Sequence, residues 1–517
     1  MKRRTFIANA GLSGLALASF PSLINSISVQ ALADTGSPLA QLLEATDRIL
    51  VVIQMSGGND GLNTVIPHTD PVYISSRPNL RIASNKVLPI TNTLGWHPAL
   101  TGFRDLYENG ELVIVQGVTY PNPDRSHFRG TDIWLTATDA DVFAGTGWMG
   151  RYLETLAPDY PETLPAHPLA IQIGSSVSLG LLGAKGPMGI TFRDPDEFYR
   201  LVNTGARDEV PAGSSDDTPA GREIEFMRNI ARSADTYAKV VKESADAGST
   251  TTQYPNTDLG ARLKVVSQLI SGGLMSRIYL VSWAGNNFDT HADQGADTGA
   301  HQRLLTELSG AVTSFMQDMK AQGHADRITG MTFSEFGRRV AENGSRGTDH
   351  GTAAPLFAFG TMVDGGKIIG TDPNLTQLDD RGDLLMQHDY RDLYSSMLLH
   401  WFGMSASTAQ NVLFRDYSAT ALPIFKGIVP VKEDTRAPLR SIGITPNPAV
   451  TTATIRVDTL GGRVAAIEVH DLHGRLVRTA STDHDVQIDV STLSPGTYVV
   501  TARLERSVSR ALLRVQR

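Results

Sequence analysis

Four short clusters in this sequence combine carboxylates, imidazoles, guanidiniums and hydroxyls at spacings that suit metal binding or work on an anionic substrate. In the first, Ser56-Gly57-Gly58-Asn59-Asp60-Gly61-Leu62-Asn63, the glycines let backbone approach a ligand and Asp60 offers a hard anionic oxygen. It lacks the Lys-Ser/Thr ending of a phosphate-binding loop, and a glycine turn with an Asx cap has the same composition. The second runs from Tyr120 to Arg129 and sets Arg125, Ser126, His127 and Arg129 side by side. Ser126 there suits either a hydroxyl nucleophile or a helix N-cap. In the third, Asn287 to Asp293, an extended segment would turn Asp289 and His291 to one side, as two metal ligands or as a hydrogen-bonded structural pair. The fourth joins Glu335 and Arg338 to Asp349 and His350. Cysteine is absent, so any metal must use imidazole, carboxylate, hydroxyl or carbonyl donors. Such mixed oxygen and nitrogen donors suit Zn, Mn, Mg or Ca to different degrees. The isolated His97, His167 and His400 read as structural.

Each cluster follows a segment that reads as a strand or lies on the adjoining loop, which is how a parallel sheet assembles a site. Arg48 to Met55 is an unbroken apolar run, as are Leu112–Gln116, Leu169–Ile173, Ile278–Trp283 and Ile328–Phe333. Between the last two, Leu304, Leu305, Leu308, Ala311, Val312, Phe315, Met316 and Met319 recur at helical spacing. The pattern predicts an α/β main domain over residues 45–430: a doubly wound, mostly parallel sheet flanked by helices. Residues 205–220 are rich in Gly, Pro, Ser and Asp and read as a surface loop, followed by a helix from Arg222 to about Ala245. Gly180 to Gly189 reads as a further loop of no assigned role. A chain of 517 residues is long enough for two or three domains. Its net charge of −8 argues against nucleic acid as a partner.

Both termini carry export features. Residues 1–33 place Lys2, Arg3 and Arg4 before an apolar stretch and end in Ala31-Leu32-Ala33, the pattern of a cleaved signal. Arg3-Arg4-Thr5-Phe6-Ile7 resembles the twin-arginine signal, which implies a twin-arginine translocase and export of an already folded chain. No later stretch is long and apolar enough to span a bilayer, so no transmembrane segment is expected in the mature chain. Residues 442–517 alternate in short β runs and predict a small β-sandwich. Thr445-Pro446-Asn447-Pro448, Val469 to Arg475 and Asp489 to Tyr498 resemble the C-terminal sorting domain of type IX secretion. That implies type IX machinery as a partner, with transit through the periplasm and an extracellular or cell-surface destination. A fibronectin-like accessory domain is the plainer alternative.

GGNDGLN, PNPDRSHF, GWMGRYL, FDTH, SEFGR and TDHG together resemble the domain-of-unknown-function 1501 family, across nearly the whole main domain. That family resembles more remotely the alkaline phosphatase-like superfamily, which includes sulfatases. The resemblance implies an alkaline phosphatase-like fold, divalent metal ions as cofactors and a hydroxyl nucleophile, here Ser126. It implies metal ligation by Asp60, Asp289, His291, Glu335, Asp349 and His350, and substrate contacts from Asn63, His127, Arg129 and Arg338. One departure stands out: Phe336 occupies a position where the pattern expects an imidazole. The implied activity is hydrolysis of a phosphate or sulfate ester, small or polymer-linked, by in-line attack of Ser126. A non-catalytic surface-displayed binding or scaffold protein on the same fold is the alternative.

Overall fold

The apolar runs become the middle of one nine-stranded sheet. In the computed structural model, which describes residues 47–204, 218–283, 287–427, 442–457, 465–470, 476–482, 485–504 and 507–516, its strands are β1 (Ile49–Gln54), β2 (Leu112–Thr119), β3 (Ala170–Ile173), β4 (Ile190–Phe192), β5 (Ile278–Ser282), β6 (Ile328–Phe333), β7 (Ala354–Phe359), β8 (Ile368–Ile369) and β9 (His388–Asp389). The signal expected at residues 1–33 and most of the 205–220 insertion lie outside the described residues. Strand order is β8-β2-β7-β6-β1-β5-β3-β4, with β9 also pairing to β2. Only β7 runs counter to its neighbours, β6 and β2. The remaining pairings are parallel.

Burial on both faces explains why these strands read as continuous rather than alternating runs. Ile49, Val51 and Ile53 of β1 enter the core under α1 (Thr101–Glu108), α4 (Pro219–Ala247), α5 (Asp258–Ser271) and α6 (Ala300–Ala321). Leu50 and Val52 point the other way, toward α2 (His127–Thr136), α3 (Trp148–Leu156) and α7 (Tyr390–Ser396). Trp134 of α2 stacks on Tyr390 at 4.4 Å, and Trp148 of α3 on Tyr394 at 4.3 Å. This is the expected mostly parallel sheet with helices on both faces.

The glycine-rich stretch from Gly180, read as a loop, is instead a seat for α3. A short turn (Leu179–Leu181) and a hairpin (Leu182–Gly183 with Gly186–Pro187) pass beneath the helix before edge strand β4. A Cβ built on Gly150 would lie 2.2 Å from the Leu182 carbonyl oxygen, so only glycine permits this approach. Gly150→Ala should therefore cost about 1–3 kcal/mol of stability, as overpacking does, with the loss measured by urea denaturation.

The chain forms two compact units, the first ending and the second beginning between residues 427 and 442. The C-terminal unit holds β10 (Ile442–Thr445), β11 (Thr452–Val457), β12 (Ala465–His470), β13 (Leu476–Thr482), β14 (Asp485–Asp489), β15 (Gly496–Leu504) and β16 (Ser507–Val515). These form two antiparallel sheets, β10-β11-β14 and β13-β12-β15-β16. Ile455, Ile467, Val469, Val500 and Leu513 share one buried core, as the predicted sandwich requires. Among the described residues, no helix is long and apolar enough to cross a membrane.

Candidate metal centre

Because β7 is antiparallel, its amino end lies with the carboxyl ends of β1, β2, β5 and β6, and four loops converge there: those after β1, β2 and β5 and the one that joins β6 to β7. Gly57, after β1, has φ +118°, and a Cβ there would sit 2.4 Å from the Asp289 backbone nitrogen. Glycine thus lets the loop after β5 press against the loop after β1, and Phe288 N–H donates to the Ser56 carbonyl at 3.0 Å. The β6 loop bridges to residue 350, with Gly351 N–H donating to the Gly337 carbonyl at 2.9 Å.

Asp289 is the centre of what these loops assemble. His127 Nε2 lies 3.3 Å from Asp289 Oδ2, while His350 Nε2 and His291 Nε2 lie 3.2 and 3.1 Å from Oδ1. Ligand atoms of His127, Asp289 and His350 all fall within 4.8 Å of one another. His291 joins from the solvent side, its side chain 43% exposed and its Nε2 2.9 Å from that of His350.

The opposite ring nitrogens are held by fixed acceptors. His350 Nδ1 lies 2.8 Å from the Arg125 carbonyl oxygen, which can only accept, so Nδ1 carries the proton and neutral His350 turns its Nε2 lone pair toward Asp289. His127 Nδ1 is 2.7 Å from Glu335 Oε1, which also accepts from Gly57 N–H at 2.8 Å. His291 Nδ1 is 3.2 Å from Asp349 Oδ1, which also accepts from Asn343 Nδ2 at 3.0 Å. Three imidazoles so fixed present lone pairs to one carboxylate. Acceptors facing acceptors repel one another until a proton or a cation comes between them, and this donor set fits a divalent metal.

The electrostatics favour a neutral His350 and an ionised Asp289, and hold a proton more firmly on His127. Burial pushes His350 below the ordinary imidazole value, which favours its neutral form. His127 is raised, mainly by its hydrogen bond to Glu335. For Asp289, burial alone would raise the carboxyl, but the hydrogen bond and charge of Arg338 oppose it and the net shift is downward. Asn343 and His291 likewise hold Asp349 low.

Other residues expected at the site lie elsewhere or in other contacts. Asp60 was expected to face a metal, but its Oδ2 meets Arg77 Nη1 at 2.7 Å, with both side chains fully buried, and accepts from Gln294 Nε2 at 2.6 Å. A carboxylate this deep needs a cation in contact, and a guanidinium supplies it. Asn63, expected to touch substrate, accepts from the same Arg77 at 3.0 Å and from Tyr73 Oη at 2.9 Å. Arg129 donates to the Ala140 and Val142 carbonyls at 2.9 and 2.6 Å and stacks on Phe143, so its charge is spent on the 139–143 loop. The Arg338 side chain is fully buried and serves the carbonyls of Gly57, Gly58, Phe288 and Thr348 as well as Asp289 Oδ1. It anchors Asp289 and leaves nothing to grip an ester. Glu335 and Asp349 touch imidazoles and stand one step behind the cluster.

Ser126 caps α2, its hydroxyl accepting from Arg129 N–H at 3.5 Å. Both its neighbours serve the cluster, Arg125 through its carbonyl and His127 through its ring. A cleft of about 420 Å³, lined by Tyr120, Asn122, Arg125, Thr352, Arg381 and Met386 among others, opens beside Arg125. Phe336, where an imidazole was expected, packs its ring 4.9 Å from His127 and 4.4 Å from His350, and His127, expected as a substrate contact, instead turns its ring onto Asp289 from the first turn of α2. No spacing rule in the sequence marked His127 for this place, and its position next to Ser126 was the one available signal.

Comparisons with known proteins agree with this division of the chain. The model of a secretion system C-terminal sorting domain matches residues 443–513. Among solved structures, the chain is similar to a sulfatase from Pseudoalteromonas sp., at 11% identity over 91% of this chain and 87% of that one with a TM-score of 0.37. It is also similar to a lipoteichoic acid synthase from Listeria monocytogenes, at 8% identity over 72% and 77% with a TM-score of 0.32. A third likeness is to a protein of the alkaline phosphatase superfamily from Vibrio parahaemolyticus, at 11% identity over 84% and 82% with a TM-score of 0.30. No curated protein matches the chain. The family model described as protein of unknown function (DUF1501) matches residues 119–408, more than half of the 517 residues and all the loops that carry the imidazoles, and the chain belongs to that family.

Proposed function

We propose that this protein is an exported, divalent-metal-dependent hydrolase of anionic esters, with Ser126 as nucleophile. The observation that carries the reading is the set of three imidazole Nε2 atoms turned on Asp289 while each Nδ1 is fixed by a carbonyl or a carboxylate. His127, Asp289 and His350 would hold the ion, with His291 at its exposed side. A divalent cation there supplies positive charge to an ester oxygen and makes a nearby hydroxyl more acidic. The chain's own residues do the positioning. Arg338 fixes the Asp289 carboxylate, Glu335 and the Arg125 carbonyl set the faces of His127 and His350, and the start of α2 favours negative charge beside Ser126. The cleft beside Arg125 would receive the alcohol half of the ester. The two ends of the chain support export through a twin-arginine translocase into the periplasm and then through type IX machinery to the cell surface or beyond.

A second reading, a surface-displayed metal-binding or scaffold protein without turnover, is favoured by Arg129 and Arg338 being committed to internal partners. Elemental mass spectrometry on the folded, signal-free protein, with His350→Ala beside wild type, tests the metal. Stoichiometric metal in wild type and its loss in the variant are expected. A screen of phosphate and sulfate esters then separates the readings: turnover lost in Ser126→Ala supports the hydrolase, and metal without turnover the scaffold.

A further inference from the structure

One carboxylate outside the cluster touches both segments that frame it. Asp383 is fully buried at the end of a tight turn in which its own N–H donates to Asp379 Oδ1 at 2.8 Å and Asp379 N–H donates back to its carbonyl at 2.9 Å. Its Oδ2 pairs with Arg125 Nη2, which also lies 3.6 Å from Asp379 Oδ2, and its Oδ1 lies 3.8 Å from Arg339 Nε. The two arginines come from different loops and each adjoins cluster residues. Arg125 offers the carbonyl that fixes His350 Nδ1 and stands two residues before His127. Arg339 N–H donates to the Asp349 carbonyl at 3.0 Å, beside the carboxylate that meets His291. Burial pushes Arg125 below its ordinary value, and the like charges of Arg381 and Arg339 act in the same direction. The buried anion between Arg125 and Arg339 compensates their repulsion.

We infer that Asp383 is a positioning residue for the metal centre. It clamps Arg125 and Arg339 together, and through the Arg125 carbonyl it fixes the His350 tautomer whose Nε2 faces Asp289. The inference rests on the metal-centre reading for its purpose, but its structural consequence is readable in the metal-free protein.

The experiment compares wild type with Asp383→Asn, and with Arg339→Gln, which removes one partner from a side chain 43% exposed and so spares the buried carboxylate. Long-range nitrogen–proton NMR of the histidine rings, without metal, reads the tautomer of His350. Titration with Zn²⁺ or Mn²⁺ reads affinity. Wild-type His350 should be protonated at Nδ1. Asp383→Asn should mix the tautomers and weaken metal binding by about 10–100-fold, the size of an outer-shell loss, with Arg339→Gln weaker in the same direction. Folded variants with an unchanged His350 tautomer, or wild-type His350 protonated at Nε2, would overturn the inference. Should Asp383→Asn fail to fold, the Arg339→Gln tautomer decides alone. If wild type binds neither ion but the tautomer responds, the metal reading fails and the clamp stands.

Discussion

Asp289→Asn should lower divalent-metal affinity by more than about 100-fold, beyond the 10–100-fold typical of outer-shell changes, because it removes the one carboxylate on which the imidazoles converge. Asparagine keeps the shape of the side chain and loses its charge, so the experiment separates packing from electrostatics. Asp289 Oδ1 also accepts from Arg338 Nη2 at 2.7 Å, and that guanidinium is fully buried. Without the carboxylate, Arg338 keeps its carbonyl acceptors but no counter-charge. The metal-free variant should therefore lose up to about 3 kcal/mol, the low end of what breaking a buried pair costs, since the Asp289 side chain is 28% exposed. Isothermal titration with Zn²⁺ or Mn²⁺ checks the first effect and urea denaturation of the metal-free protein the second. Stoichiometric metal binding by the variant would place the centre elsewhere.

How much of this was legible in the sequence depended on what each residue had to satisfy. Strands β1, β2, β5 and β6 were readable because burial on both faces leaves an unbroken apolar run. Strand β7 was not, because Ala354 and Pro355 follow the polar Asp349-His350-Gly351-Thr352 segment after only Ala353 and read as part of it. Its reversed direction is what brings that segment to the carboxyl ends of its neighbours. Asp289, His291 and His350 were legible as candidates because strand ends are where a parallel sheet exposes polar groups. The same rule placed Asp60, Asn63 and Arg338 there too, and composition cannot distinguish a charge offered to a ligand from one spent inside the protein. Arg77, which takes up Asp60, sits 17 residues away in a stretch with no chemical signature, and Asp383 meets Arg125 from a loop far along the chain. Both are long-range pairings that only the fold reveals.

The Asp60–Arg77 pair carries the second large effect. With both side chains fully buried, Arg77→Met should destabilise the protein by about 3–5 kcal/mol, because it leaves an uncompensated carboxylate inside. Asp60→Asn combined with Arg77→Met removes both charges and should recover much of that loss, a coupling that a double-mutant cycle in urea measures. Acid should act in the same sense. Burial alone would raise the Asp60 carboxyl above 3.8, but Arg77 with Gln294 outweighs it and the folded value is lowered. The pair's contribution is thus complete above about pH 3.8 and is lost as pH falls through the lower folded value. In the doubly substituted protein that part of the acid sensitivity should vanish. Metal content of the same protein decides what Asp60 is for: a direct ligand would take the metal with it, whereas a buried structural anion would leave stoichiometry intact once the fold is restored. Retained metal is the expected outcome, since Asp60 Oδ2 is already occupied by Arg77 and Gln294; loss of metal would assign the other carboxylate oxygen, Oδ1, to the ion.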